Sequence, residues 1–110
     1  MIPKGGREAV DVKAIAARIA ERFHPRRIVL FGSRARGEGG PDSDVDLFIE
    51  METARPAPER AMEVSAVFGL RHWPLDVIVY TPEEVQQLRG VRGSLLAAIE
   101  AEGKVLYEQS

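Results

Sequence analysis

The segment 26–50, with the sequence RRIVLFGSRARGEGGPDSDVDLFIE, constrains the fold of this 110-residue chain more than any other. An apolar run at 28–31 stops at a glycine, and after a glycine-rich loop a second apolar run opens with Asp44 and Asp46. Carboxylates two residues apart on a strand lie about 6–7 Å from one another and repel by about 2–3 kcal/mol at an effective dielectric constant of about 20. A strand that begins in this way needs either water at an exposed end or a hard cation such as Mg²⁺ to offset the repulsion.

The composition indicates a single small domain and is compatible with a reducing compartment. The chain is 45% hydrophobic and 29% charged, which suits one core and leaves little room for a second. Its net charge of -2 gives no overall field that would attract nucleic acid or an acidic membrane, so we expect neither as a partner. Cysteine is absent, which excludes a disulfide framework, a thiolate metal site and a thiol nucleophile.

The chain also lacks the sequence signals of a membrane or secreted protein. No apolar run approaches the roughly 18 residues of a membrane span, and the first residues lack the apolar core of a signal peptide. We therefore expect a cytoplasmic protein with a flexible leader at 1–9 and a single domain at 10–110.

Periodicity and turn residues predict alternating helices and strands. Short runs rich in β-branched and aromatic residues predict strands at 27–31, 45–50, 75–80 and, as an edge strand, 105–107. Apolar residues at helical spacing predict helices at 10–23, 58–68, 82–88 and 94–102. This order corresponds to an α/β (α+β) fold, in which helices flank a small mixed β-sheet.

Local signals accompany these elements. Thr81 and Glu84 have the spacing of a capping box at the start of the third helix. His24, beside a proline, is expected to cap the end of the first helix rather than to bind a metal. Glu50 and Glu52 continue the polar alternation that begins with the aspartates, and we expect both to be exposed.

Gly32 and Ser33 follow the first strand, where free backbone N–H groups and a glycine that admits an anion to the backbone suit a phosphate. Ser33 is expected to cap one or two helical turns that end at Arg36. Arg34 and Arg36 could pair with phosphate oxygens, although arginines in a loop are also common as solvated surface charges. Taken alone, the Gly-Ser pair is equally an ordinary turn.

The acids fit the same kind of site. Side chains alternate along a strand, so Asp44 and Asp46 share one face of the second strand. A third acid, Asp76, lies within an apolar strand, where an ionised side chain is costly without a partner. Taken alone, Asp44 and Asp46 could form an ordinary turn or cap. Taken alone, Asp76 could occupy a bulge or an edge position that faces water. Together with the Gly-Ser turn, the three acids predict a two-metal site for phosphoryl transfer.

This motif resembles that of a known family. Gly32-Ser33, ten further residues, and then Asp44-Val45-Asp46, followed by Asp76 in a later strand, are similar to the signature of the minimal nucleotidyltransferases. These belong to the DNA polymerase β-like superfamily, of which kanamycin nucleotidyltransferase is a larger member. The run FGSRARGEGGPDSDVDL also fits the family, and the closing AIEAEGKVLYE resembles its usual carboxyl-terminal end. The resemblance covers nearly the whole chain and implies the nucleotidyltransferase fold.

The resemblance implies a role for each residue of the motif. Asp44 and Asp46 would hold two Mg²⁺ ions that bridge the triphosphate of the nucleotide, expected to be ATP. Asp76 would help hold the second metal and accept the proton of the attacking hydroxyl. The strand that carries the pair and the strand that carries Asp76 should therefore lie side by side. The residues expected to bind the nucleotide are Gly32, Ser33 and Arg34.

The resemblance also implies a partner. Minimal nucleotidyltransferases are commonly encoded beside a small helical protein of the HEPN type, and the pair resembles a toxin–antitoxin system in which the nucleotidyltransferase adds AMP to its partner. About thirty residues follow the third strand, too few for the acceptor domain of larger relatives, so we expect the acceptor to come from such a partner.

Two alternatives stay open. One is a non-catalytic nucleotide-binding module that neutralises or scaffolds a partner by contact. The other is a small-molecule nucleotidyltransferase of the aminoglycoside-modifying kind, formed by a dimer. The sequence does not determine the acceptor, the base preference, or whether the chain forms a homo- or hetero-oligomer.

Overall fold

The strands and helices follow the sequence pattern closely. The computed structural model describes residues 10–40, 43–71 and 73–109. The strands in these ranges are β1 (Arg27–Phe31), β2 (Val45–Glu50), β3 (Leu75–Tyr80) and β4 (Lys104–Glu108). The helices are α1 (Val12–Phe23), α2 (Ala57–Ser65, continued by a 3₁₀ turn at Ala66–Phe68), α3 (Pro82–Leu88) and α4 (Leu95–Glu102). The predicted α/β (α+β) class with a small mixed sheet is confirmed, whereas the predicted leader at 1–9 lies outside the described residues.

The sheet has the strand order β3-β2-β1-β4. β1 pairs antiparallel with β2 and β4, while β2 and β3 are parallel. The end of β1 and the beginnings of β2 and β3 therefore meet at the same end of the sheet. In the register, Phe31 lies opposite Asp46, and Asp46 lies beside Asp76. The prediction that the two acid-bearing strands are neighbours is confirmed.

Helices cover both faces of the sheet. α1 and α2 pack on one face, over a core that includes the buried residues Ile15, Ile19, Ile28, Leu30, Val45, Leu47, Ile49 and Val64. α3 and α4 pack on the other face, over a smaller core of Val29, Phe48, Val85, Leu96 and Ile99. Because residues of β2 alternate between these two cores, Asp46 lies on the face that carries Phe48.

The expected exposure of Glu50 is wrong. This residue is only 7% exposed, and the Arg27 Nε donates to its Oε1 at 2.7 Å. The Arg27 guanidinium also contacts Glu100 of α4 at 2.9 Å and lies 5.3 Å from the centre of the Phe48 ring. The face of β2 that carries Asp44 and Asp46 is exposed only at the beginning of the strand. From Phe48 onward, helices cover this face. Glu52, after the strand, is exposed as predicted.

The chain after β1 forms hydrogen-bonded turns at 33–37 in place of the predicted helical turns. The backbone N–H groups of Ala35 and Arg36 both donate to the Gly32 carbonyl, at 3.1 and 3.3 Å. A φ of 76° at Gly37 then diverts the chain before a helix can continue.

The caps predicted at Thr81 and His24 are confirmed. The Thr81 side chain accepts from the Glu84 N–H at 3.2 Å, and the Glu84 carboxylate accepts from the Thr81 N–H at 2.8 Å. His24 adopts a left-handed conformation, with φ of 51°, at the end of α1. None of the helices in the described ranges is both long and apolar enough to cross a membrane.

A buried arginine joins α2 to the far end of β3. Arg60 is 8% exposed, and its guanidinium donates to the carbonyls of Arg55 and Val79 and to the Glu84 carboxylate. The hydrogen bond from Arg60 to Glu84, followed by the one from the Thr81 N–H, holds the pKa of Glu84 below its ordinary value. Arg60 therefore fixes β3 from the end opposite to the acids.

We expect Arg60→Ala to lower the free energy of unfolding by about 2–3 kcal/mol, because it leaves the buried Val79 carbonyl without its arginine donor and removes the partner of Glu84. Urea unfolding at pH 7 measures the loss. The deficit should shrink as pH falls from about 4.5 through the lowered pKa of Glu84, because protonation removes its attraction to Arg60 in the wild type.

Arg55→Ala is the matched control, since its side chain makes an exposed ion pair with Glu63 at 3.2 Å. Its effect should stay within about 0.5 kcal/mol. Equal losses in the two variants would contradict the structural role given to Arg60.

Candidate active site

Three carboxylates converge at the end of the sheet where β2 and β3 begin. Asp44 directly precedes β2, Asp46 is the second residue of β2, and Asp76 is the second residue of β3. One carboxylate oxygen from each residue lies within 4.8 Å of the other two. Asp44 and Asp76 are exposed and Asp46 is half-buried. The structure thus brings together, at an open end of the sheet, the three acids that the sequence singled out.

Gly32 lies directly against one of these acids. A Cβ atom at this position would overlap the Oδ2 of Asp46, and the backbone has a φ of 76°, which side chains other than glycine rarely adopt. Both constraints require glycine. The turn backbone therefore approaches the acid cluster closely, and half-buried Ser33 follows at the same end of the sheet.

The cluster concentrates negative charge. Burial raises the pKa of Asp46, and the charges of Asp76 and Asp44 raise it further, while the charge of Arg36 acts in the opposite direction. The ionised state of Asp46 is thus disfavoured in the protein alone and would be favoured by a bound cation.

The donor set fits a hard divalent metal. Carboxylate oxygens are ligands that Mg²⁺ and Mn²⁺ prefer. The separations of up to 4.8 Å are close to the distance between opposite ligands of one such ion, about twice a bond of 2.0–2.1 Å. Asp44, Asp46 and Asp76 are therefore the residues that could hold metal.

Arg34 closes the glycine-rich loop. Its guanidinium donates to the Ser43 carbonyl from Nε at 3.2 Å and from Nη2 at 3.0 Å. The Ser43 hydroxyl in turn accepts from the Gly40 N–H at 2.8 Å. These bonds hold the residue that directly precedes Asp44, so Arg34 helps to position the acid pair. Its predicted part in nucleotide binding stays a prediction.

Arg36, for which the sequence pattern predicted either a contact with phosphate oxygens or a solvated surface charge, lies beside α4. Its guanidinium contacts Glu38 at 3.1 Å and Glu102 of α4 at 3.5 Å. Arg36, Gly32 and Glu102 line a cleft of about 110 Å³ between the turn and α4. Nothing in the sequence pattern places α4 beside Gly32, because that neighbourhood arises only when the helix packs on β1.

The loop before β3 ties the two acid-bearing strands together. The Val45 N–H donates to the Pro74 carbonyl at 2.9 Å.

The Trp73 ring packs edge-on against Phe68, with 5.6 Å between ring centres, and the Arg71 guanidinium lies 5.5 Å from the Trp73 centre. Trp73 thereby packs onto the core that lies under α1 and α2.

A larger cleft, of about 470 Å³, lies at the opposite end of the sheet. Its lining residues are Arg26, Arg27, Glu50, Arg89, Glu108 and Gln109. The side chains of Arg27, Glu50 and Arg89 take part in ion pairs there, and none of the three clustered aspartates lines it. We therefore locate the candidate active site at the acids and not at the larger cleft.

Gly32→Ala should lower the free energy of unfolding by about 1–3 kcal/mol, because alanine is strained at this φ and its methyl group overlaps Asp46. Thermal unfolding in EDTA measures the loss. Gly40→Ala is the matched control, since a Cβ there meets no atom within 4 Å and φ is not positive. A similar loss in both variants would contradict the close packing inferred for Gly32.

Asp46→Asn should raise the free energy of unfolding of the metal-free protein by about 1 kcal/mol at pH 7, equivalent to roughly 4–8 °C in Tm, because it removes one of three repelling charges. The advantage should shrink as pH falls. The raised pKa means that wild-type Asp46 takes up its proton in the folded state at a higher pH than in the unfolded chain, which relieves the repulsion.

Added Mg²⁺ should raise the Tm of the wild type and not that of Asp46→Asn. Exposed Glu52→Gln, which also removes one negative charge, should behave like the wild type in both experiments. If Asp46→Asn is less stable than the wild type in EDTA, repulsion among the three carboxylates does not lower the stability of the metal-free protein.

Comparisons with known proteins agree with this fold. Two solved structures have the same fold. One, provisionally assigned as a nucleotidyltransferase from Sulfolobus solfataricus, has a TM-score of 0.60 and 22% identity, over 89% of this chain and 78% of that one. The other, a toxin–antitoxin with AMP-PNP, has a TM-score of 0.58 and 18% identity, over 89% of this chain and 74% of that one.

The sequence comparisons identify the family. No curated protein matches the sequence significantly. The profile of the nucleotidyltransferase domain matches residues 12–107, which include the turn at Gly32 and all three clustered acids. The chain therefore belongs to the nucleotidyltransferase domain family.

Proposed function

We propose that the protein is a metal-dependent enzyme that transfers a nucleoside monophosphate, AMP from ATP, to a hydroxyl group. The observation that carries the proposal is the convergence of Asp44, Asp46 and Asp76 within 4.8 Å of one another. Membership of the nucleotidyltransferase domain family supports the reaction class.

In this proposal Asp44 and Asp46 would hold two Mg²⁺ ions, and Asp76 would help to hold the second. When bound, the ions supply positive charge that offsets the charge of the triphosphate and of the reacting phosphoryl group. The raised pKa of Asp46 supports this assignment, because a site with an unfavourable concentration of negative charge gains most from binding cations.

The turn after β1 is assigned to the phosphates. Gly32 and Ser33 offer backbone groups beside the acids, and the missing side chain at Gly32 lets the turn backbone lie directly against Asp46. Arg34 supports this region through its hydrogen bonds to the Ser43 carbonyl. The β- and γ-phosphates would bind here, which leaves the α-phosphate facing the acids.

Asp76 is the proposed general base. It is exposed, so an acceptor hydroxyl can reach it from solvent. The hydroxyl oxygen forms a bond to the α-phosphorus, Asp76 takes the hydroxyl proton, and the bond from the α-phosphorus to the bridging oxygen of the β-phosphate breaks. The products are an acceptor that carries AMP and free pyrophosphate.

We infer further that the acceptor is a helical partner protein of the HEPN type and that the modification makes this chain an antitoxin. Support comes from the family resemblance of the GSRARG and DSDVDL segments. The fold is also similar to that of a toxin–antitoxin crystallised with AMP-PNP, an analogue of ATP.

The test is transfer of label from α-labelled ATP with Mg²⁺ to the product of the neighbouring gene or, where none is evident, to proteins of a host lysate. The wild type should label one protein. Asp44→Asn/Asp46→Asn should reduce labelling by more than about 100-fold, since loss of ligands exceeds the 10–100-fold typical of residues that only support them. Glu52→Gln should label normally.

Three results would contradict parts of the proposal. Intact labelling by Asp44→Asn/Asp46→Asn would remove the acids from the reaction. A wild type that binds ATP and neutralises its partner without any transfer would identify a non-catalytic binding module. Label on an aminoglycoside and on no protein would identify a small-molecule nucleotidyltransferase.

A further inference from the structure

The outer edge of β3 carries backbone groups that the sheet does not use. In the order β3-β2-β1-β4, one side of β3 pairs with β2 and the other side forms the edge of the described sheet. The N–H groups of Val45 and Met51 donate to the carbonyls of Pro74 and Tyr80, at 2.9 and 3.0 Å. Because backbone groups point to alternate sides along a strand, the even-numbered residues of β3 face β2. The odd-numbered residues present their N–H and C=O groups outward: Leu75, Val77 and Val79.

The chain closes one end of this edge and leaves the other end open. The Arg60 Nη1 donates to the Val79 carbonyl at 3.2 Å, so this carbonyl does point outward. Within the described residues, no hydrogen bond reaches the outward N–H or C=O groups of Leu75 and Val77. These two residues flank Asp76, which is exposed. The open part of the edge is therefore the part beside the proposed general base.

The opposite edge of the sheet, β4, has the features with which proteins usually protect an edge strand. Its pairing with β1 is interrupted by a register shift, and the charged residues Lys104 and Glu108 stand at its two ends. Irregular pairing and charged side chains both hinder the addition of another strand. β3 pairs with β2 in one continuous register and carries one charged residue, Asp76. Of the two edges, the one at β3 is the better suited to accept another strand.

A strand added at this edge would bring a side chain to Asp76. The backbone groups of Asp76 face β2, so towards an antiparallel added strand Asp76 occupies a position without hydrogen bonds. The Cα atoms of such a pair are about 4.5 Å apart, and the two side chains share one face of the sheet. A hydroxyl on the residue opposite Asp76 would therefore lie beside its carboxylate, where the three acids converge.

We propose that the acceptor binds as an extended strand along the outer edge of β3, held by the backbone groups of Leu75 and Val77, with its hydroxyl-bearing residue opposite Asp76. This inference rests on the proposed function, because it names how the acceptor of that reaction binds. The occupant is a segment of a protein, since a polypeptide backbone complements alternating N–H and C=O groups. In a helical partner this segment is a loop or a terminus outside the helices.

Hydrogen exchange of single amides, measured by NMR on the free protein, tests whether the edge is open. Relative to their intrinsic rates, the Val77 N–H should exchange at least about 100-fold faster than the N–H of Ile78, which faces β2. Equal protection of the two amides would overturn the inference, because the Val77 N–H would then already have a partner.

Val77→Pro removes one outward N–H and leaves the pairing with β2 intact, since proline is tolerated on an edge strand where its nitrogen faces outward. The assay supplies α-labelled ATP, Mg²⁺ and the product of the neighbouring gene or, where none is evident, the proteins of a host lysate. Labelling of the acceptor should fall about tenfold, because the acceptor strand loses a hydrogen bond. The rise of Tm in Mg²⁺ should match that of the wild type, since the acids keep their positions.

Val77→Ala is the matched control, because it shortens the same half-buried side chain and keeps the N–H. It should label the acceptor as the wild type does. Normal labelling by Val77→Pro, or an equal loss in both variants, would overturn strand addition and leave the reaction intact. A Val77→Pro protein that does not fold would contradict the outward direction of this N–H.

Two further outcomes concern the occupant of the edge. Label on this chain itself would identify a second copy as the acceptor and would overturn the assignment of the edge to a partner. A wild type that labels no protein would overturn this inference together with the proposed transfer to a protein.

Discussion

The mutual repulsion of three carboxylates at one end of the sheet is the constraint on which the rest of the site depends. Asp44, Asp46 and Asp76 have oxygens within 4.8 Å of one another, and none is deeply buried. Partial exposure keeps the cost of ionisation tolerable, because water screens charges near the surface. It also leaves the carboxylates open to a cation. The fold thus holds the acids rigidly through their strands while leaving their oxygens accessible.

The supporting residues act at some distance from the acids. Arg34 fixes the loop before Asp44 through the Ser43 carbonyl, and Pro74 links the start of β3 to Val45. At the opposite end of the sheet, Arg60 donates a hydrogen bond to the Val79 carbonyl and so holds the far end of β3 in place. The acids are consequently placed by backbone hydrogen bonds and buried arginine contacts, and these do not depend on the presence of a ligand.

The sequence predicted the strands and the acids well because both depend on local pattern. Alternation and turn residues defined β1, β2 and β3 to the residue, and the spacing of Gly32, Asp44 and Asp46 carried the family resemblance. What it could not predict depends on which helix covers which face. The alternation along β2 predicts that Glu50 is exposed. In the fold Glu50 is buried, because it pairs with Arg27, and α4 brings Glu100 to the same arginine.

The cleft beside Gly32 was not predictable for the same reason. Leu95 and Ala98 are more than 60 residues from Gly32 along the chain and meet it only through the packing of α4 on β1. Likewise, the positive φ of Gly37 overrides the helical tendency expected after Ser33. Tertiary packing and single backbone conformations carry information that periodicity does not contain.

The parallel pairing of β2 and β3 has a consequence for how sequences of this kind can vary. Because Asp46 and Asp76 are in direct register, a shift of β3 by one residue would turn Asp76 toward the core under α1 and α2. Insertions within β3 are therefore incompatible with the site. Changes of length in the loop between the 3₁₀ turn and Trp73 leave the register untouched, so that loop is free to diversify while the acids stay in place.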